Sequence, residues 1–167
     1  MNRNVVITGG SKGIGKACVK AFLKEGDHVI FCDLDEPMSA QCISELMPMG
    51  VLYYFPCDIS SYESVKDFFI KVKNVFGTID ILVNNAAIQI VSDFNSIKVE
   101  DWDRVIQTNL NGTFYCIKEA TEIMSSGSIV NISSLYSSQS RLNKFSYDAS
   151  KAAIKRMTEE FALALAP

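Results

Sequence analysis

Histidine is nearly missing from this chain: His28 is the only one in 167 residues. A Ser–His–acid triad or a histidine-rich metal centre is hard to build from one imidazole at the entrance of the strand-like run GDHVIFCD. Proton chemistry must come from Tyr, Lys, Asp, Glu or Cys, and His28 reads as a structural or surface residue. The five cysteines, Cys18, Cys32, Cys42, Cys57 and Cys116, are scattered without CxxC spacing. They read as reduced, mostly buried thiols, and no metal site is expected of them. A basic surplus is absent too. The formal charge of −3 argues against a phosphate backbone as partner, so nucleic acid is not expected. No apolar run approaches the roughly 20 residues that span a bilayer, so no membrane partner is expected either. The opening MNRNVVITGG enters a strand at once and leaves no room for a signal peptide, which makes the chain cytoplasmic by expectation.

What is present is a soluble composition, 48% hydrophobic and 21% charged, in a length that suits a single domain over residues 1–167. Short β-branched runs alternate with longer amphipathic stretches. The runs are VVIT (5–8), HVIFCD (28–33), VLYYFPCD (51–58), DILVNN (80–85) and SIVNIS (128–133). Between them, Val65, Phe68, Phe69, Val72, Val75 and Phe76 recur at helical spacing, as do Val105, Ile106, Leu110 and Phe114. A last helical pattern covers 147–166. Apolar strands separated by helix-length crossovers predict an α/β fold, a doubly wound, Rossmann-like parallel sheet.

Thr8-Gly9-Gly10-Ser11-Lys12-Gly13-Ile14-Gly15 follows the first strand and opens the first helix. A side chain at such a turn would keep the backbone from a pyrophosphate or the helix from its strand. The first-turn N–H groups then point at the anion. Asp33 ends the second strand, 18 positions after Gly15, where dinucleotide binders place an acid on the ribose hydroxyls. A turn or helix-capping role for Asp33 is the alternative.

The spacing is TGxxxGIG, not GxGxxG, and with it the sequence resembles the short-chain dehydrogenase/reductase family. Cys57-Asp58-Ile59 looks like the family segment that meets the adenine, with Asp58 as a helix cap near Ser61 the competing reading. Asn84-Asn85-Ala86-Ala87 is similar to the family's NNAG, with Ala87 in place of the usual Gly. The resemblance thus implies a cofactor site of Gly9, Ser11, Lys12, Gly13, Ile14, Gly15, Asp33, Leu34, Asp58, Ile59, Asn85, Ala86 and Ala87. NAD is expected over NADP. A 2′-phosphate beside Asp33 would meet repulsion of roughly 1–4 kcal/mol per charge pair at about 4 Å. Lys12 pulls toward NADP but can turn to water.

Tyr147-Asp148-Ala149-Ser150-Lys151 is YxxxK, which places a phenol and an ammonium on one helix face. Ser134 lies 13 positions upstream, just after SIVNIS, with Ser133 beside it. Alcohol–carbonyl interconversion needs a proton acceptor at the oxygen. A phenol serves if its pKa falls from about 10 toward 7, roughly 4 kcal/mol of stabilisation, which a neighbouring ammonium supports. Ser134 would orient the substrate oxygen. The resemblance further implies that Lys151, with Tyr147, holds the nicotinamide ribose. It also makes Asn109, in TNLNGTF, a fourth catalytic residue that interrupts its helix and positions a water relaying protons to Lys151. Asn111 is the weaker match. Leu135, Tyr136 and Gln139 are expected along the remaining pocket wall.

Family members continue into two further strands and a substrate segment, so the sequence is expected to be C-terminally shortened. The fifth strand would then be a bare apolar edge. The leading function is an NAD(P)-dependent oxidoreductase acting on a small alcohol or carbonyl, assembled as a homodimer or homotetramer. A catalytically silent NAD-binding module is the alternative. A Rossmann-like methyltransferase is a third, for which Ser134 and YxxxK would have no use.

Overall fold

The computed structural model describes residues 2–166. Strands β1 (Asn4–Thr8), β2 (His28–Asp33), β3 (Leu52–Pro56), β4 (Ile81–Asn84) and β5 (Ser128–Asn131) pair in parallel, in the order β3-β2-β1-β4-β5. Helices α1 (Gly13–Lys24), α2 (Glu36–Leu46), α3 (Tyr62–Phe76), α4 (Val99–Ile106) and α5 (Gly112–Thr121) cross between strands, and α6 (Phe145–Ala164) follows β5. All five expected strands form, some shorter than their apolar runs. The helix over 36–46 had no counterpart in the apolar periodicity, yet Asp35 caps it by accepting the Met38 N–H at 3.1 Å and a proline opens it.

Burial explains the lack of polar alternation. Along β1, Val6 faces Ile30, Leu82 and the α3–α5 side with Val65, Phe68 and Ile117. Its neighbours Val5 and Ile7 face Val29, Phe31 and the α1–α2 side with Val19 and Leu23. A central strand covered on both faces has no solvent side to mark with polar residues. At the outer edge β5 is thinner, and Val130 is 44% exposed.

The strand order reverses beside β1, between β2 and β4. A crevice opens at the carboxyl ends of the strands there, as the geometry of doubly wound sheets requires.

Candidate active site

The crevice is held open by a lock between the ends of β1 and β4. Thr8 Oγ1 accepts the N–H groups of Asn85 and Ala86 at 3.0 and 3.1 Å. In return, Asn85 Nδ2 donates to the carbonyl oxygens of Thr8 and Gly9 at 3.0 and 2.9 Å. Asn85 thus fastens the glycine loop to the sheet with its amide, while its surface still lines the crevice. Gly15 sits beneath the same lock, where an added Cβ would lie 2.0 Å from the Gly9 oxygen. The N-cap residue Lys12 makes no side-chain cap on α1, so among the described residues its first N–H groups have no side-chain acceptor and suit an anion.

The open cleft holds about 530 Å³ and is lined by Gly9, Lys12, Ile14, Asp33, Leu34, Asp58, Ile59, Asn85, Ala86 and Ala87, all expected from sequence. Ser11 differs. It is completely buried, and both its N–H (3.1 Å) and its hydroxyl (2.6 Å) donate to Asp33 Oδ2. Its side chain holds the Asp33 carboxylate and does not face the cleft. Asp33 Oδ1 accepts the Asp35 N–H at 3.2 Å, so the turn role and the rim position coexist. Lys12 stays largely in water, its side chain 65% exposed, while its ammonium pairs with Asp35 at 3.2 Å. The Met38 N–H, and after it Lys12, hold the Asp35 carboxyl below its ordinary pKa. Asp58 does not cap α3, a task that falls to Ser61. Its Oδ1 accepts the N–H and hydroxyl of Ser60 at 2.9 and 2.7 Å.

Tyr147 and Lys151 share one face of α6. The Lys151 ammonium lies 5.6 Å from the centre of the Tyr147 ring and donates to the Ile132 carbonyl at 2.7 Å. The residue is 3% exposed, and burial pulls its pKa down to about 8. Among the described residues, the Tyr147 hydroxyl has no hydrogen-bond partner within the protein. Ser133 and Ser134 separate cleanly. Ser133 donates to the Lys151 carbonyl at 3.1 Å, anchoring α6. Ser134 Oγ accepts the Tyr136 N–H at 3.2 Å, which leaves its own proton free to donate.

Asn109 lies in a π-helical segment, Gln107–Asn111, that interrupts the run from α4 into α5. The expected helix break is therefore real, and Asn109 is fully buried. Its Oδ1 accepts the Ile88 N–H at 2.8 Å, and its Nδ2 donates to the Ile88 carbonyl at 2.9 Å and to Ser150 Oγ at 3.1 Å. Asn111 instead donates to Gln107 within its own helix at 2.6 Å.

Tyr136 and Gln139 line a separate groove of about 830 Å³ with Phe94, Trp102 and Phe145. On α6 that groove contacts Asp148, Ala149 and Ala152, a face turned away from Tyr147 and Lys151. Leu135 is 80% exposed. The cleft also includes Asp35, Ile88, Arg104 and Thr108, which sequence reasoning missed. Asp35 carried a signal in its helix-capping position ahead of Pro37. Arg104 and Thr108 carried none, since only tertiary structure brings their turn of helix over the cleft.

Residues 3–167 match the family model of the short chain dehydrogenases. An uncharacterized oxidoreductase of Thermotoga maritima is 33% identical over 164 residues, 96% of this chain and 64% of that protein. The D-beta-hydroxybutyrate dehydrogenase of Rhizobium meliloti is 31% identical over 172 residues, 99% and 67% of the two lengths. The crystal structure of gox2181 matches with a TM-score of 0.94 at 32% identity, covering 99% of this chain and 67% of that one. The chain spans 64% and 61% of the first two curated relatives it matches, the second a Bacillus subtilis oxidoreductase. The match runs from β1 through the glycine loop to α6, and by it the chain belongs to the short-chain dehydrogenase family of oxidoreductases.

Proposed function

We propose that the protein interconverts an alcohol and a carbonyl by hydride transfer with a nicotinamide cofactor, with Tyr147 as general acid/base. The observation that carries this reading is the pairing on α6 of an unpartnered phenol with a buried ammonium. The cleft suits such a cofactor because Gly15 leaves no room for a Cβ and the α1 N-terminus has free donors. Gly9, Lys12, Gly13, Ile14 and Gly15 would cradle the pyrophosphate, with Ser11 supporting Asp33 from beneath. Asp33 and Leu34 would meet the adenosine ribose, Asp58 and Ile59 the adenine. Asn85, Ala86, Ala87, Tyr147 and Lys151 would flank the nicotinamide half. When bound, that half supplies the hydride acceptor or donor.

Tyr147 takes the proton from the alcohol, or returns it to the carbonyl oxygen. The Lys151 ammonium stands beside that ring, 5.6 Å from its centre. Ser134 donates its free proton to the substrate oxygen and fixes its position. Both Nδ2 hydrogens of Asn109 are engaged, so any proton relay past it runs along its backbone carbonyl, which already accepts the Thr113 hydroxyl at 2.7 Å.

NAD is the preferred cofactor in this reading, because Asp33 and Asp35 place two carboxylates beside the site of a 2′-phosphate. Residues 1–167 act as one cofactor-binding domain, and we place the protein in the cytoplasm. Leu163 (81% exposed) on α6, Leu165 just past its end and Phe114 on α5 present apolar surface, which supports a homodimer or homotetramer. Sedimentation at micromolar concentration tests the assembly, and a strict monomer contradicts it. Isothermal titration with NAD, NADP and S-adenosylmethionine, followed by turnover assays on small alcohols and carbonyls, tests the function. Binding of NAD without any turnover would favour a silent module.

A further inference from the structure

The start of α6 carries Tyr147, yet Lys144 at its N-cap makes no side-chain cap and the preceding stretch is largely exposed. An uncapped first turn leaves its N–H groups without local partners. A tie from another element has to hold that turn in place.

A buried chain of hydrogen bonds provides the tie. Ile88, on the cleft wall, exchanges two bonds with the Asn109 amide at 2.8 and 2.9 Å. The second Nδ2 hydrogen of Asn109 goes to Ser150 Oγ at 3.1 Å, and the Ser150 hydroxyl donates to the Tyr147 carbonyl at 2.7 Å. Asn109 and Ser150 are both wholly buried. A helical serine that bonds back within its own turn is commonplace. Here the same oxygen also accepts a buried amide from a π-turn 41 positions away. The direction of every bond is fixed, since a hydroxyl has one proton to give and an amide nitrogen two.

We infer that Ser150 is a positioning residue, joining the cleft wall at Ile88, through Asn109, to the turn of α6 that presents Tyr147. The inference rests on the role proposed above for Tyr147. Ser133 makes the matching tie one turn later, at the Lys151 carbonyl.

The test compares Ser150→Ala, Asn109→Ala, the double variant and Ser150→Cys, which keeps a weaker donor of similar size. Turnover at saturating cofactor is expected to fall roughly 10- to 100-fold in Ser150→Ala, with cofactor affinity changed less than about twofold. Ser150→Cys should recover part of that loss. The double variant should be little worse than the poorer single one, because the two residues act as one unit. Hydrogen exchange by mass spectrometry gives a reading independent of turnover: protection should drop in residues 145–150 before the rest of α6. Unchanged exchange there, or unchanged turnover in Ser150→Ala whatever its melting temperature, overturns the inference. Near-normal turnover in Tyr147→Phe would overturn the general acid/base reading, while exchange would still report on the tie.

Discussion

Lys151 places its ammonium against the carbonyl oxygen of Ile132, 2.7 Å away at the end of β5, and among the described residues that is its only hydrogen bond. One acceptor for three donors does not offset the loss of water, so its pKa drops from 10.5 to about 8. The unfolded chain keeps the ordinary value. Between pH 8 and 10.5 the unfolded state therefore holds the proton more fully than the folded state, and stability rises with pH across that window. Below it, the folded protein bears the whole cost of the buried charge. Urea midpoints of the cofactor-free protein should climb through this window relative to Lys151→Met. A difference between the two proteins that stays flat or falls contradicts the assignment.

Tyr147→Phe removes one oxygen and leaves the ring packing in place. Hydride transfer should fall by about 10²–10⁴-fold with little change in NAD affinity, as for the loss of a general acid/base. Lys151→Met should weaken both cofactor affinity and rate, because that side chain would touch the ribose as well as the phenol. Steady-state kinetics with a cofactor titration of each variant separate the two patterns.

The Lys12–Asp35 pair bears on cofactor choice. NAD should bind roughly tenfold or more tightly than NADP at one fixed salt concentration. Asp33→Ala should narrow that ratio directly, and Asp33→Arg narrow or reverse it. Asp35→Asn should narrow it by releasing Lys12, and adding Lys12→Ala should cancel the gain. Equal affinities in the unmutated protein defeat the proposal.

Two glycines of the loop should respond differently to alanine. At Gly13 the backbone has φ +56° but the space around a Cβ is open, so Gly13→Ala should cost about 1–2 kcal/mol of stability. At Gly15 the added carbon meets the Gly9 oxygen at 2.0 Å and Asn85 Nδ2 at 2.6 Å. That substitution must break the lock between β1 and β4, with loss of NAD binding and a larger fall in the urea midpoint. Similar behaviour of the two variants would show that the lock does not matter.

Sequence made legible what depends on short spacing. The strands and the crossover helices other than α2 follow from burial periodicity, and the glycine loop, Tyr147–Lys151 and Ser134 follow from positions near the ends of those elements. Contacts that join distant segments were hidden. Nothing along the chain says that Thr8 meets Asn85, 77 positions on, or that Ser150 rather than solvent receives the Asn109 amide. The bonds of Ser11 were hidden for the same reason. Its type and position suit a phosphate loop, but only the fold shows that Asp33 lies close enough to engage both of its donors. Tyr136 illustrates the converse: near Ser134 in sequence, it points into another groove, where its hydroxyl accepts from Arg141 at 2.7 Å.

The π-turn at Gln107–Asn111 acts on the helix as an inserted residue, rotating everything after it by about 100° relative to an unbroken α-helix. One rod thereby gains two independent orientations. Its first half directs Arg104 toward the cleft, with Thr108 of the π-turn beside it, while its second half turns Cys116, Ile117 and Ala120 into the core against the sheet. Deleting a single residue between 107 and 111 would restore regular winding and force a choice between those two tasks. The insertion is what lets an element of the scaffold also serve as a wall of the site.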